Sequence, residues 1–139
     1  MSKKNIIAKI MIKDFLIISC TGNKDKIGLK INNNFFIHDF QTKIENKDLL
    51  TSIIFNLISK HKVNIDQNFS ILVNKGPGSF SSLRAALSVA KGIKIAKKAK
   101  LYGFNNTDLT QFTLDNIEVL LNKSLIENEA IKLLYSNKI

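Results

Sequence analysis

Apolar residues between Phe15 and Phe40 come in three runs of strand length, Phe15 to Cys20, Ile27 to Ile31 and Phe35 to Phe40. Thr21-Gly22-Asn23 and Asn32-Asn33-Asn34 separate them. These residues tolerate positive φ and bond their own backbone, as hairpin loops require, so the pattern predicts an antiparallel three-strand meander. After Asn46-Lys47-Asp48 the spacing changes. Leu49, Leu50, Ile53, Ile54, Leu57 and Ile58 recur at helical intervals and predict a first helix ending near His61. Phe69 to Asn74 is a short apolar run between polar residues, the pattern of a buried strand. A second helix then runs to about Lys98, and Lys100 to Phe104 predicts a further strand. From Thr107 onward the pattern weakens: Ile117 to Leu121 fits a strand and Ser124 to Leu134 a short helix.

The order βββαβαβ argues for an α/β domain, a mixed sheet whose parallel strands are joined by crossover helices. It resembles the ribonuclease-H-like half of an actin-type (ASKHA) ATPase lobe. With 139 residues, 45% of them apolar, one core can be filled without disulfides or metal. The expectation is a single lobe over residues 1–139, with a basic N-terminal extension at 1–13 and a weakly patterned segment at 107–139. One proline and six glycines mark no domain hinge.

Charge adds a question. The formal net charge of +10 favours polyanionic partners. The lysines, however, are spread along the chain, and Arg84 is the single arginine, the residue suited to bidentate phosphate recognition. A solvated lysine-rich surface accounts for this pattern, with weak attraction to nucleic acid left open. An RNA-binding module acting alone calls for clustered basic and aromatic residues, whereas the nine phenylalanines fall mainly in core-like positions. Lysines 3, 4, 9 and 13 interrupt any signal-peptide core. No other run approaches the roughly 18 apolar residues that span a bilayer. The single cysteine, Cys20, has no second cysteine for a disulfide or zinc site. These features predict a soluble, cytoplasmic protein without a membrane partner.

Chemistry concentrates at Lys75-Gly76-Pro77-Gly78-Ser79-Phe80-Ser81-Ser82-Leu83-Arg84. Two glycines around a proline permit a sharp strand-to-helix turn, and Ser79, Ser81 or Ser82 can cap the helix. The N–H groups of that helix start suit an anion, yet neither a P-loop nor a dinucleotide fingerprint is present. A structural turn and a phosphate site both stay open. On the helix itself Leu83, Ala86, Leu87, Ala90 and Ile93 form one apolar face, and Ala85, Val89, Gly92 and Ala96 a second face of small residues. Two faces fit either a helix packed on a partner or one buried against the first helix. His38 and His61 lack metal-ligand spacing, and the motif serines lack an activating base. Cys20 reads as a small buried hydrophobe. No catalytic residue, metal or cofactor is expected.

The stretch from Gly76 to Arg84, followed by Ala85-Ala86-Leu87-Ser88-Val89-Ala90-Lys91-Gly92, closely resembles the GPGSFTGLRIGLxxAKGLA signature of the TsaB (YeaZ) family. The resemblance covers roughly residues 14 to 109. It implies a non-catalytic scaffold for the paralogous enzyme TsaD, working with the ATPase TsaE, in threonylcarbamoyl transfer to adenosine of tRNA. It further implies a heterodimer with TsaD through the first two helices, tRNA as an indirect partner through the complex, and self-association through the same surface in isolation. By resemblance Leu49, Leu50, Ile53, Leu83, Ala86, Leu87 and Ala90 are interface candidates, and Gly76, Pro77, Gly78, Ser79, Phe80 and Arg84 form the motif turn. Two positions depart from the family pattern. Ser19-Cys20 stands where an Asp-Thr pair is common, and Ser82 where glycine is usual. Family chains are also longer, so the resemblance implies a form shortened by its second lobe, with Ile131 to Ile139 similar to the family's Tyr-containing tail. The alternative is a degenerate actin-like nucleotide-binding protein holding phosphate at Gly76 to Ser82. That reading needs a carboxylate for magnesium, which the change at the first strand removes.

Overall fold

The computed structural model describes residues 12–40 and 47–136. Asn46 and most of the expected N-terminal extension lie outside the described residues. Strands β1 (Phe15–Ser19), β2 (Asp25–Ile31) and β3 (Asn34–Phe40) form the meander, with Ile17 opposite Gly28 and Gly28 opposite Ile37. Asn32 turns the second hairpin at φ 57°, a conformation its short side chain tolerates. Helix α1 (Lys47–Lys60) leads to β4 (Ser70–Asn74), and helix α2 (Phe80–Lys97) to β5 (Lys100–Phe104). β4 runs parallel beside β1, and β5 parallel beside β4. With β6 (Ile126–Glu127) the sheet has the order β3-β2-β1-β4-β5-β6.

The central strands bury alternate residues on opposite faces, so both faces need cover. Leu16, Ile18, Ile71 and Val73 pack with Leu50 and Ile54 of α1 and Ala86 and Ala90 of α2. On the other face Phe15, Ile17 and Leu72 pack with Phe104, Ile117 and Leu120. Among the described residues no helix is long and apolar enough to cross a membrane.

The C-terminal expectations are corrected. Ile117 to Leu121 is not a strand but the middle of helix α3 (Leu114–Lys123), which covers the face that α1 and α2 leave open. Thr113 caps it by accepting the Asn116 N–H at 3.2 Å. Ser124 to Leu134 is not a helix. It contains β6, which pairs antiparallel with β5 through Tyr102–Glu127 and Gly103–Ile126, and then a 3-10 turn at Asn128–Ala130. Pairing β5 satisfies backbone groups that a bare sheet edge would expose. The remaining described residues, 131–136, return across the end of β4 to the motif turn, and the last three residues of the expected tail lie outside the described residues.

Candidate functional site: the motif turn and the two-helix groove

The turn between β4 and α2 is built by three segments that meet there. Asn74, 1% exposed, ends β4 and acts as a hub. Its side-chain carbonyl accepts the Gly76 N–H at 2.9 Å, while its amide donates to Ser19 Oγ at 3.0 Å and to Asn106 Oδ1 at 2.9 Å. Gly76 takes φ 107°, and a Cβ there would run into the Leu134 carbonyl, so the position requires glycine twice over. The 131–136 segment is fastened by three backbone bonds. Leu134 N–H donates to the Lys75 carbonyl at 2.8 Å, Gly78 N–H to Leu134 at 3.0 Å, and Ser136 N–H to Gly78 at 2.8 Å.

The loop between β1 and β2 closes the opposite side. The Ser79 N–H donates to the Thr21 carbonyl at 2.9 Å, and a Cβ on Gly78 would lie 2.7 Å from that of Thr21. Ser79 is the N-cap of α2, its hydroxyl accepting the Ser82 N–H at 3.4 Å. The N–H groups of Gly76, Gly78, Ser79 and Ser82 are therefore engaged within the protein. A phosphate cradle needs such donors turned outward, so the phosphate reading loses its physical basis at these positions. Among the described residues no group of three or more His, Cys, Asp or Glu gathers to hold a metal.

Asp25, 2% exposed, organises the adjoining loop by accepting the Gly22 N–H at 2.9 Å. Burial pushes its carboxyl above the ordinary value, against the pull of the N–H groups of Gly22, Thr21 and Asn23. Burial, and secondarily the Asp25 charge, push the Cys20 thiol well above its usual range and so disfavour the reactive thiolate. His61 stacks on Phe36 with ring centroids 3.7 Å apart, a packing role.

The interface candidates divide. Leu50, Leu83, Ala86 and Ala90 are buried in the chain's own core, Ile53 and Leu87 pack partly against it, and Leu49 is exposed. What α1 and α2 present outward is a groove of about 410 Å³ between them, lined by Phe55, Ile58, Val63, Ile65, Val89, Gly92 and Ala96 among others. The small-residue face read from the sequence of α2 supplies three of these, Val89, Gly92 and Ala96. Phe55, 54% exposed, was not among the candidates, although its place on the outer side of α1 follows from the spacing of Leu50 and Ile54. At the start of α2 Phe80 is 56% exposed and Tyr135 41%, with ring centroids 4.7 Å apart, and the Arg84 guanidinium stands 5.1 Å from the Phe80 centroid. Phe80 and Phe55 thus depart from the core-like placement expected of the phenylalanines.

A family model described as "TsaD: tRNA N6-adenosine threonylcarbamoyltransferase" matches residues 43–117, more than half of the chain. The protein named "tRNA threonylcarbamoyladenosine biosynthesis protein TsaB" of Buchnera aphidicola subsp. Acyrthosiphon pisum (strain APS) is 28% identical over 85 residues, 60% of this chain and 38% of that protein. Its counterpart from Buchnera aphidicola subsp. Baizongia pistaciae (strain Bp) is 29% identical over 85 residues, 61% of this chain and 38% of its own length. The chain therefore matches less than half the length of these relatives. YeaZ from Pseudomonas aeruginosa shares the fold with a TM-score of 0.63 at 16% identity, over 70% of this chain and 46% of that one. A second structure, titled as an uncharacterized protein similar to peptidase YEAZ from Pseudomonas aeruginosa, gives 0.61 at 17% identity over 70% and 45%. These likenesses agree with the ribonuclease-H-like sheet order described above. On the family-model match, with the motif turn in its place between β4 and α2, the chain belongs to the family that the threonylcarbamoyltransferase model describes and is a member of its TsaB (YeaZ) group.

Proposed function

We propose that this chain is a non-catalytic scaffold subunit in threonylcarbamoyladenosine formation on tRNA, and that it binds a TsaD-like catalytic subunit through the outer face of α1 and α2. The observation that carries the reading is the apolar groove between these helices. Voids inside well-packed proteins rarely exceed a water molecule, so a groove of this size flanked by the exposed Phe55 suits docking better than imperfect packing. The names of the TsaB relatives supply the pathway, and the match to the TsaD model supports a partner of the same fold, since paralogous lobes can pair like faces.

The test is co-purification with the TsaD-like protein of the same organism, comparing the intact chain with Phe55→Asp and Gly92→Arg. Nothing lies within 4 Å of a Cβ on Gly92, so a longer side chain there blocks the groove without disturbing the core. The expected result is a complex that either substitution abolishes while circular dichroism stays unchanged. Absence of a complex with the intact chain, with and without tRNA and ATP, overturns the reading. If the chain instead sediments as a dimer that Gly92→Arg splits, the groove serves self-association.

A further inference from the structure

We propose that the cluster of Phe80, Tyr135 and Arg84 is a stacking site for an unpaired nucleobase of RNA. Two large rings in contact, each more than two-fifths exposed, form an open surface rather than a closed core. The guanidinium over the Phe80 ring adds a planar cation, and stacked aromatic and Arg planes are the surfaces on which unpaired bases settle. Arg84 is the chain's single arginine, and it is placed on a ring, with no ion pair among the described residues.

The surroundings favour a polyanion. The segments that meet at the motif turn beside the cluster, residues 20–25, 75–84, 105–108 and 131–136, carry Lys24, Lys75, Arg84 and Lys132 against two carboxylates, the buried Asp25 and the exposed Asp108. These charges sit within a net +10, so phosphates flanking an unpaired base meet attraction there. The platform is also pre-organised. Tyr135 lies between Leu134 and Ser136, both bonded to the motif turn, and Phe80 follows the capping Ser79, so little ordering entropy is lost on binding. Phe80 and Gly92 are about 18 Å apart along α2 at 1.5 Å per residue, which leaves the groove free for a protein partner. The inference goes beyond the scaffold role and requires no TsaD.

The experiment titrates the full chain alone into an RNA hairpin carrying 2-aminopurine in its loop and into a fully paired duplex of equal length. Expected are quenching of the loop base and tighter binding of the hairpin. Tyr135→Ala and Phe80→Ala should each weaken hairpin binding on the order of tenfold while the salt dependence stays unchanged. Tyr135→Phe, which keeps the ring, should bind as the intact chain does. Equal affinity for hairpin and duplex without quenching overturns the proposal and leaves a diffuse lysine field. Loss of TsaD binding in Tyr135→Ala with hairpin binding unchanged overturns it in favour of a protein contact. Circular dichroism of each variant separates these outcomes from misfolding.

Discussion

Asn74 holds Asn106 across the end of the sheet, its amide nitrogen 2.9 Å from the Asn106 side-chain oxygen, while its own carbonyl takes the Gly76 N–H at the same distance. One side chain thus joins the end of β4, the motif turn and the loop after β5. Asn74→Ala leaves the Gly76 N–H, which that carbonyl satisfies, without its acceptor in a buried position. Asn74→Asp keeps the acceptor and sets a carboxylate against the Asn106 side-chain oxygen. We expect each to cost about 2 kcal/mol, in the range for a buried group stripped of its partner. Urea denaturation midpoints measure the loss, and midpoints equal to those of the intact chain would show that Asn74 is not the hub.

Gly76 and Leu134 give a second prediction. Gly76→Ala meets both the positive φ and the Leu134 carbonyl, so the 131–136 segment must lift for the turn to survive. The expected outcome is a destabilisation of roughly 1–3 kcal/mol. Amide exchange at Leu134 and Ser136 should accelerate more than exchange in β4. Uniform acceleration at all three would mean that the turn and the tail are not separately coupled.

Much of this arrangement was legible in the residues. The motif turn declares itself because a Gly-Pro-Gly punctuation has few local alternatives, and β5 because its aromatic-rich run follows directly on the end of a helix. Ile117 to Leu121 misled because Val119-Leu120-Leu121 is an apolar run too short to separate strand from helix by period. Only the topology, with α1 and α2 on one face, requires a helix on the other. Periodicity likewise showed that Leu83, Ala86 and Ala90 form an apolar face, but not that the sheet beneath takes them and leaves Gly92 and Ala96 outside. The contact of Phe80 with Tyr135 depends on a return of the chain more than fifty residues later, which no local pattern encodes.

Gly92 yields a prediction that separates folding from binding. It sits inside α2, is exposed, and has open space where a Cβ would stand. Glycine in a helix interior is destabilising relative to alanine by roughly 0.5–1 kcal/mol, so Gly92→Ala should stabilise the free chain by that amount. A small residue is tolerated by a close-packed partner and a large one is not. Thermal unfolding should therefore rise for Gly92→Ala while the Gly92→Arg complex is lost. An alanine variant no more stable than the intact chain would mean that the backbone at Gly92 is not helical in solution.

Asp25 links stability to pH. Its carboxyl is raised in the folded state above the ordinary value of 3.8, chiefly by burial, so the folded protein holds the proton more tightly than the unfolded chain does. The stabilisation this gives is complete below 3.8 and is lost as the pH rises through the folded value. Asp25→Asn keeps an oxygen acceptor for the Gly22 N–H and carries no charge to desolvate. The variant should therefore gain stability relative to the intact chain as the pH rises above 3.8, the side on which linkage places the loss for a raised carboxyl. Asp25→Ala removes the acceptor and should be less stable than Asp25→Asn throughout, by about 1–3 kcal/mol. Denaturation midpoints of the three proteins across that range decide it. A difference between the intact chain and Asp25→Asn that does not vary with pH would show that the carboxyl titrates alike in both states and that the β1–β2 loop does not bury its charge.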